Sequence, residues 1–168
     1  MIRAALIALI LGAAPASAET RYICWRCNAG YSMTGEMTYT DAAAARGIVT
    51  QDDITDFRIT GFLDGVEIGH WDLAERTPAT SWLLRYDPRN HRFILGGGFG
   101  LYQAWNANGE VNDCGAGGFG FNSGNAGQDV CIDNRYIAES TIDPLTPFPS
   151  YAVLPPDCVG PPLLGKGR

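Results

Sequence analysis

Ser81-Trp82-Leu83-Leu84-Arg85-Tyr86-Asp87-Pro88-Arg89-Asn90-His91-Arg92-Phe93-Ile94-Leu95 is the stretch that decides the fold class. Pro88 stands at the second position of Asp87-Pro88-Arg89-Asn90, where its fixed φ presets a type I turn. Closing that turn pairs Tyr86 with His91, Leu84 with Phe93 and Trp82 with Leu95 on a core-like face. The other face carries Leu83 beside Ile94 and sets Arg85 opposite Arg92, a like-charge pair that needs an acid or solvent nearby.

The same pattern of short β-prone runs between turn residues continues on both sides. Asp64-Gly65 is a two-residue type I′ signal joining Ile54 to Leu63 with Val66 to Leu73. Phe57, Ile59 and Leu63 face inward and Arg58 and Thr60 outward. Gly69 reads as a bulge, because the apolar alternation changes phase between Ile68 and Trp71. Asn108-Gly109 is read as a third turn, folding Leu101 to Ala107 back on Glu110 to Cys114. Arg21 to Trp25, Met33 to Thr40, Val130 to Ala138 and Tyr151 to Leu154 bring the tally to roughly nine or ten strands. The helical signal is confined to Asp41 to Arg46, alanines after an N-cap-type Asp. Gly96 to Gly100 and Gly115 to Gly127 read as loops or close strand approaches that bury little side-chain area. The expected fold is all-β: a single sandwich-like domain of jelly-roll type over residues 19–154, ahead of a Pro/Gly-rich tail, 155–168, that reads as extended or poorly ordered.

Arg3, the apolar run Ala4 to Ala14 and the small residues Ala16-Ser17-Ala18 read as a signal peptide of residues 1–18, cleaved before Glu19. A secreted or periplasmic address is the expectation, with no membrane insertion after cleavage, since no later run approaches about 20 apolar residues. The net charge of −6 argues against nucleic acid as a partner. Cys24, Cys27, Cys114, Cys131 and Cys158 all fall after the cleavage point, where disulfides persist. A bridge between Cys114 and Cys131 removes about 3 kcal/mol of the ordering cost of the glycine-rich segment between them. Cys158 then joins Cys24 or Cys27; the competing arrangement bridges Cys24 to Cys27 and leaves Cys158 free.

Cys24-Trp25-Arg26-Cys27 has the spacing of a thiol-disulfide exchange centre, and Arg26 favours a thiolate. Asn28-Ala29-Gly30-Tyr31 begins a turn, however, where a thioredoxin-like site needs a helix, and Asn28 stands where c-type haem attachment needs a histidine. Zinc lacks a second cysteine pair at knuckle spacing. Gly115-Ala116-Gly117-Gly118-Phe119-Gly120 matches Gly-x-Gly-x-x-Gly but opens no helix. Asn106, Asn108, Glu110, Asn112 and Asp113, like Asp52, Asp53 and Asp56, resemble part of a calcium loop without completing it. No cofactor is therefore expected, calcium being the one ion with ligands to consider. His70 and His91 read as structural. Among 18 acids nothing selects a carboxylate pair for glycoside hydrolysis. Trp71 and Trp82 fall on apolar faces; Trp105, beside a polar turn, is either core or an exposed platform that stacks on a sugar ring.

Met33 to Asp41, Gly47 to Thr50 and Asp53-Ile54-Thr55-Asp56-Phe57-Arg58-Ile59-Thr60-Gly61 resemble the uncharacterised exported β-rich domains often found in bacterial PEP-CTERM proteins. Those commonly open with a strand ending in a Tyr-Asp-like step, then a Thr-rich run and an Asp-[Ile/Leu]-Thr-x-Phe strand. The Pro-Glu-Pro, membrane segment and basic end of such proteins have no counterpart in this sequence, so their sorting and anchoring are not expected here. The resemblance carries no catalytic residue. The expected function is a non-catalytic cell-envelope, matrix or carbohydrate interaction module. The alternatives are a thiol-redox or cysteine-linked envelope protein using Cys24 and Cys27, and a small extracellular hydrolase.

Overall fold

The computed structural model describes residues 17–96 and 102–159. Most of the expected signal peptide and the glycine-rich residues 97–101 lie outside them. In chain order the elements are β1 (Ala18–Arg26), β2 (Tyr31–Thr40), α1 (Asp41–Ala45), β3 (Val49–Thr50), β4 (Ile54–Leu63), β5 (Val66–Asp72), β6 (Trp82–Leu83) and β7 (Arg85–Asp87). There follow β8 (Arg92–Phe93), β9 (Gln103–Trp105), β10 (Phe119–Ser123), β11 (Gln128–Ile132), β12 (Arg135–Tyr136) and β13 (Ser150–Tyr151). They form two five-stranded sheets, β13-β1-β2-β4-β5 and β12-β11-β10-β9-β6, and a small sheet β3-β7-β8. Every strand pairing among the described residues is antiparallel. The protein is all-β and sandwich-like, as expected. Within that class each large sheet is laid down mostly by sequential neighbours, whereas the expected jelly-roll connection would alternate between sheets.

The two large sheets share one core because each presents an apolar face at period two. Ile23, Trp25, Met33, Met37, Phe57, Ile59 and Trp71 from the first meet Trp82, Trp105, Phe119, Phe121 and Val130 from the second. Ring contacts tie the layers: Trp25 to Phe121 at 5.5 Å, Phe57 to Trp82 at 4.8 Å and Phe57 to Trp105 at 5.0 Å. Gly61 admits a close approach between the sheets: a Cβ there would fall 2.1 Å from the Phe119 ring. Two glutamines cross the apolar layer with their amides satisfied. Gln128 Oε1 accepts from the Trp25 indole at 3.1 Å and its Nε2 donates to Thr146 O. Gln103 accepts from Arg85 N and donates to Ile94 O, standing in for strand pairing where β7 turns away from its neighbours.

The hairpin around Asp87-Pro88 keeps its faces but not its register. Tyr86 pairs with Phe93 and Asp87 with Arg92, which leaves a four-residue loop in which His91 takes φ 49°. A shift of two residues preserves the parity of a strand, so Trp82, Leu84, Tyr86 and Phe93 are buried as read. It also replaces the expected Arg85–Arg92 opposition with Asp87 opposite Arg92. Trp82–Leu83 and Arg85–Asp87 belong to different sheets, so the chain turns a corner at Leu84. At Asp64-Gly65 both residues have positive φ, the type I′ geometry, and the register slips beside Gly69 between the Gly61–Gly69 and Phe62–Glu67 pairs. Phe57 and Ile59 are buried, with Leu63 only partly so. Thr40, not Asp41, caps the short helix.

Three expectations are corrected. Glu110 to Cys114 is not a strand: β9 pairs instead with β10, Trp105 opposite Phe121. Residues 106–118 form a loop with positive φ at Asn106 and Val111, packed on the outer face of the second sheet. The glycine-rich run contains β10, the centre of that sheet, with Phe119 and Phe121 fully buried; its glycines admit close backbone approach, as at Gly120, where a Cβ would meet Asn106 O at 2.2 Å. The tail is anchored as far as it is described, because Cys158 is 0% exposed and bonded to Cys24.

Candidate functional site

Alternation along the central strands sends Phe121 and Val130 inward, so Asn122 and Asp129 point to the outer face. Leu83, Ala104, Asn122 and Asp129 lie in one cross-strand row there. In a plain sandwich this row would meet solvent. Here the loop 106–118 lies over the neighbouring part of the face, held by the Cys114–Cys131 disulfide and by a small apolar cluster of Ala107, Val111, Cys114 and Cys131. Asp113 fixes the loop further by accepting from the Asn108 backbone N–H and from the Ser81 hydroxyl. Asn106 donates to Cys114 O and Phe119 O, 3.0 and 2.9 Å away.

Between this loop and the β10–β11 turn is a pocket of about 230 Å³ lined by Tyr102, Val111, Asn122, Gly127 and Asp129, among others. Asn122 Nδ2 donates to Asn108 O at 2.9 Å and to Ala107 O at 3.5 Å. The amide N–H groups therefore secure the loop. Asp129 is 5% exposed, yet its Oδ1 is sealed from solvent without a hydrogen-bond partner among the described residues. A buried carboxylate in that condition is costly. Burial alone raises its pKa from 3.8 to about 6. Tyr102 is raised too, first by burial and then by the charge of Asp113. At Gly127 a Cβ would stand 2.5 Å from Thr141 Cγ2 and 3.2 Å from Asp129 Oδ2, so glycine there keeps the space beside the carboxylate open.

A carboxyl whose pKa is higher folded than unfolded gives the folded chain more bound protons between about pH 4 and pH 6. Stability therefore falls as pH rises through that window and stays lower above it, by about 3 kcal/mol. Asp129→Asn is expected to remove the effect. At pH 8 the variant gains about 2–3 kcal/mol in urea unfolding over the parent, and at pH 4 the two converge. A variant less stable than the parent at both values would show that the carboxylate has favourable partners.

The other openings are better satisfied. A cleft of about 460 Å³ lies between His70, Glu75 and the Gly115–Gly118 stretch. His70 bonds Glu67, while the Gly115 and Gly117 N–H groups donate to Asn134 and Asp133 side chains. Asp113, the second acid on that cleft, is engaged as described. An apolar groove of about 580 Å³ runs beside Phe93, Leu95, Leu145 and Pro147.

The site residues read from sequence distribute differently. Trp105 is 0% exposed, ringed by Phe57, Phe93, Phe121 and Phe148, which corrects the platform reading: its position in β9 points it into the shared core. Cys114 bonds Cys131 and Cys24 bonds Cys158, leaving Cys27 as a free thiol. The competing Cys24–Cys27 bridge is not formed, and the reason is extension. Three residues of strand separate their Cα atoms by about 10 Å, beyond the roughly 7 Å a disulfide spans. Parity also places Cys24 opposite to Ile23 and Trp25, while Cys27 packs against the core. The acids and amides of the calcium-like runs serve the fold: Asp53 accepts from Thr50 N and pairs with Arg46, and Asn108 Oδ1 accepts from Glu110 N. Among the described residues no three His, Cys, Asp or Glu side chains cluster as metal ligands, and no helix is long and apolar enough to cross a membrane.

Asp129, Asn122 and Tyr102 were missed in the sequence. The Cys114–Cys131 pairing was the available signal, since Cys131 shares a face with Asp129 and any bridge from it must draw a loop over that face. No protein-family model, curated protein or solved structure matches the chain.

Proposed function

We propose that this is an exported, non-catalytic binding module whose ligand seat is the Asp129 pocket, and that it takes a small polar group of a cell-envelope, matrix or carbohydrate component. The carrying observation is the carboxylate itself: a nearly buried acid whose Oδ1 has no hydrogen-bond partner among the described residues, on the lining of a pocket where Gly127 leaves space beside it. Folding does not need such a group, and binding sites are where unsatisfied polar atoms and shifted pKa values gather. Two disulfides support export, as does the run Ala4 to Ala18. The volume is below the roughly 300–1,000 Å³ of sites for drug-sized molecules, so it suits one ring or one short substituent of a larger polymer.

The test is a binding screen of envelope and matrix polysaccharide fragments against the parent and Asp129→Asn, by calorimetry at neutral pH. The expected result is a ligand that binds the parent and is lost, or weakened about tenfold or more, on Asp129→Asn. If every ligand found binds both proteins equally, the pocket is not the seat and the reading falls.

A further inference from the structure

Resting on the pocket as ligand seat, we infer that the group it accepts is a protonated primary amine carried on a small stem or sugar ring. Asp129 and Asn122 both bring acceptor oxygens to the buried part of the pocket lining. Asp129 offers a carboxylate whose Oδ1 has no hydrogen-bond partner among the described residues, and Asn122, its Nδ2 donating to Ala107 O and Asn108 O, adds the acceptor Oδ1. A Cβ on Gly124 would stand 3.4 Å from that Oδ1, so the oxygen lies beside open space at the turn.

Among the described residues that line the pocket none is basic. The charged side chains on the covering loop, Glu110 and Asp113, are both acids, and the Asp113 charge is felt at Tyr102. A neutral hydroxyl would supply one donor and leave the buried carboxylate uncompensated. An ammonium supplies three donors and the missing charge, the pairing that makes charge-assisted hydrogen bonds stronger than neutral ones. A divalent metal fits less well, because it prefers several oxygen ligands and the pocket holds one carboxylate.

The experiment uses the full mature chain at neutral pH and probes matched except for the amine: glucosamine against glucose, and propylamine against 1-propanol, with calcium chloride as a third arm. The readouts are dissociation constants and the NMR shift of the Asp129 carboxyl carbon. The inference expects both amines to move that carbon, to bind about tenfold or more tightly than their hydroxyl counterparts, and to lose that margin on Asp129→Asn. Glucose binding as well as glucosamine through Asp129 would overturn the ammonium while leaving the pocket as the ligand seat. Calcium moving the Asp129 carbon when neither amine does would overturn it in favour of a metal. An Asp129 carbon indifferent to all of the probes would overturn the amine, and the polysaccharide screen then decides the seat independently.

Discussion

Removing the Cys24–Cys158 bridge as the double variant Cys24→Ala/Cys158→Ala is expected to cost about 5 kcal/mol of stability, the largest effect of any change considered. The two cysteines are 134 residues apart, so the bridge closes nearly the whole described chain into one ring. In the chain-entropy model the stabilisation grows with the logarithm of loop length: about 5 kcal/mol for this loop, against about 3 kcal/mol for the 17-residue separation of Cys114 and Cys131. A domain of this size has roughly 5–15 kcal/mol in total. The first variant should therefore be close to unfolded at 37 °C, and the second folded but weakened. Urea unfolding of the two double variants checks the order. A loss below about 1 kcal/mol from the long bridge would mean that the unfolded chain is already compact or that the ends are held by other contacts. The single variant Cys158→Ala adds a second reading. With Cys24 in β1 and Cys27 just past its end, about 10 Å apart along an extended chain, both should remain free thiols that react with an alkylating reagent, whereas a Cys24–Cys27 disulfide forming in their place would support the exchange chemistry of the Cys-x-x-Cys spacing.

Trp105→Ala is expected to cost about 3–5 kcal/mol, because the indole is fully buried and its removal opens a cavity among four phenylalanines. Trp105→Phe should cost well under half as much. Its ring still fills most of the space, and the Trp105 Nε1–H is a buried donor without a partner among the described residues, so no hydrogen bond shown there is lost when it goes. Thermal unfolding of both variants distinguishes this from the platform reading. A stacking platform predicts that alanine leaves stability unchanged and abolishes ligand binding.

Strand parity was legible from residues alone, and that is why the faces of Trp82, Leu84, Tyr86, Phe57 and Ile59 stand even where the pairing moved by two. The turn at Asp64-Gly65 was legible for the same local reason: both positions need positive φ, and the sequence offers the two residues that tolerate it. The register at Asp87 to Arg92 was not. A proline turn is compatible with more than one loop length, and the pairing that set Asp87 against Arg92 depends on contacts to Val49 and Phe148 from elsewhere in the chain. The loop 106–118 was misread because Asn108-Gly109 looks like a hairpin turn in isolation. Asp113 capping Asn108 and bonding Ser81 makes it a covering loop instead. Asp129 was invisible for a related reason. Between Gln128 and Val130 an acid reads as the solvent side of a strand, and only the segment fastened by Cys114 and Cys131 turns that side into an interior.

In the ligand-free protein Asp129 is buried, with its Oδ1 lacking a hydrogen-bond partner among the described residues. The pH titration of its carboxyl carbon by NMR in the ligand-free protein tests this condition. The expected midpoint is about 6, raised from 3.8 by burial. A midpoint at or below about 4 would show that water or a protein donor already satisfies the carboxylate, and the ligand seat would have to be sought elsewhere.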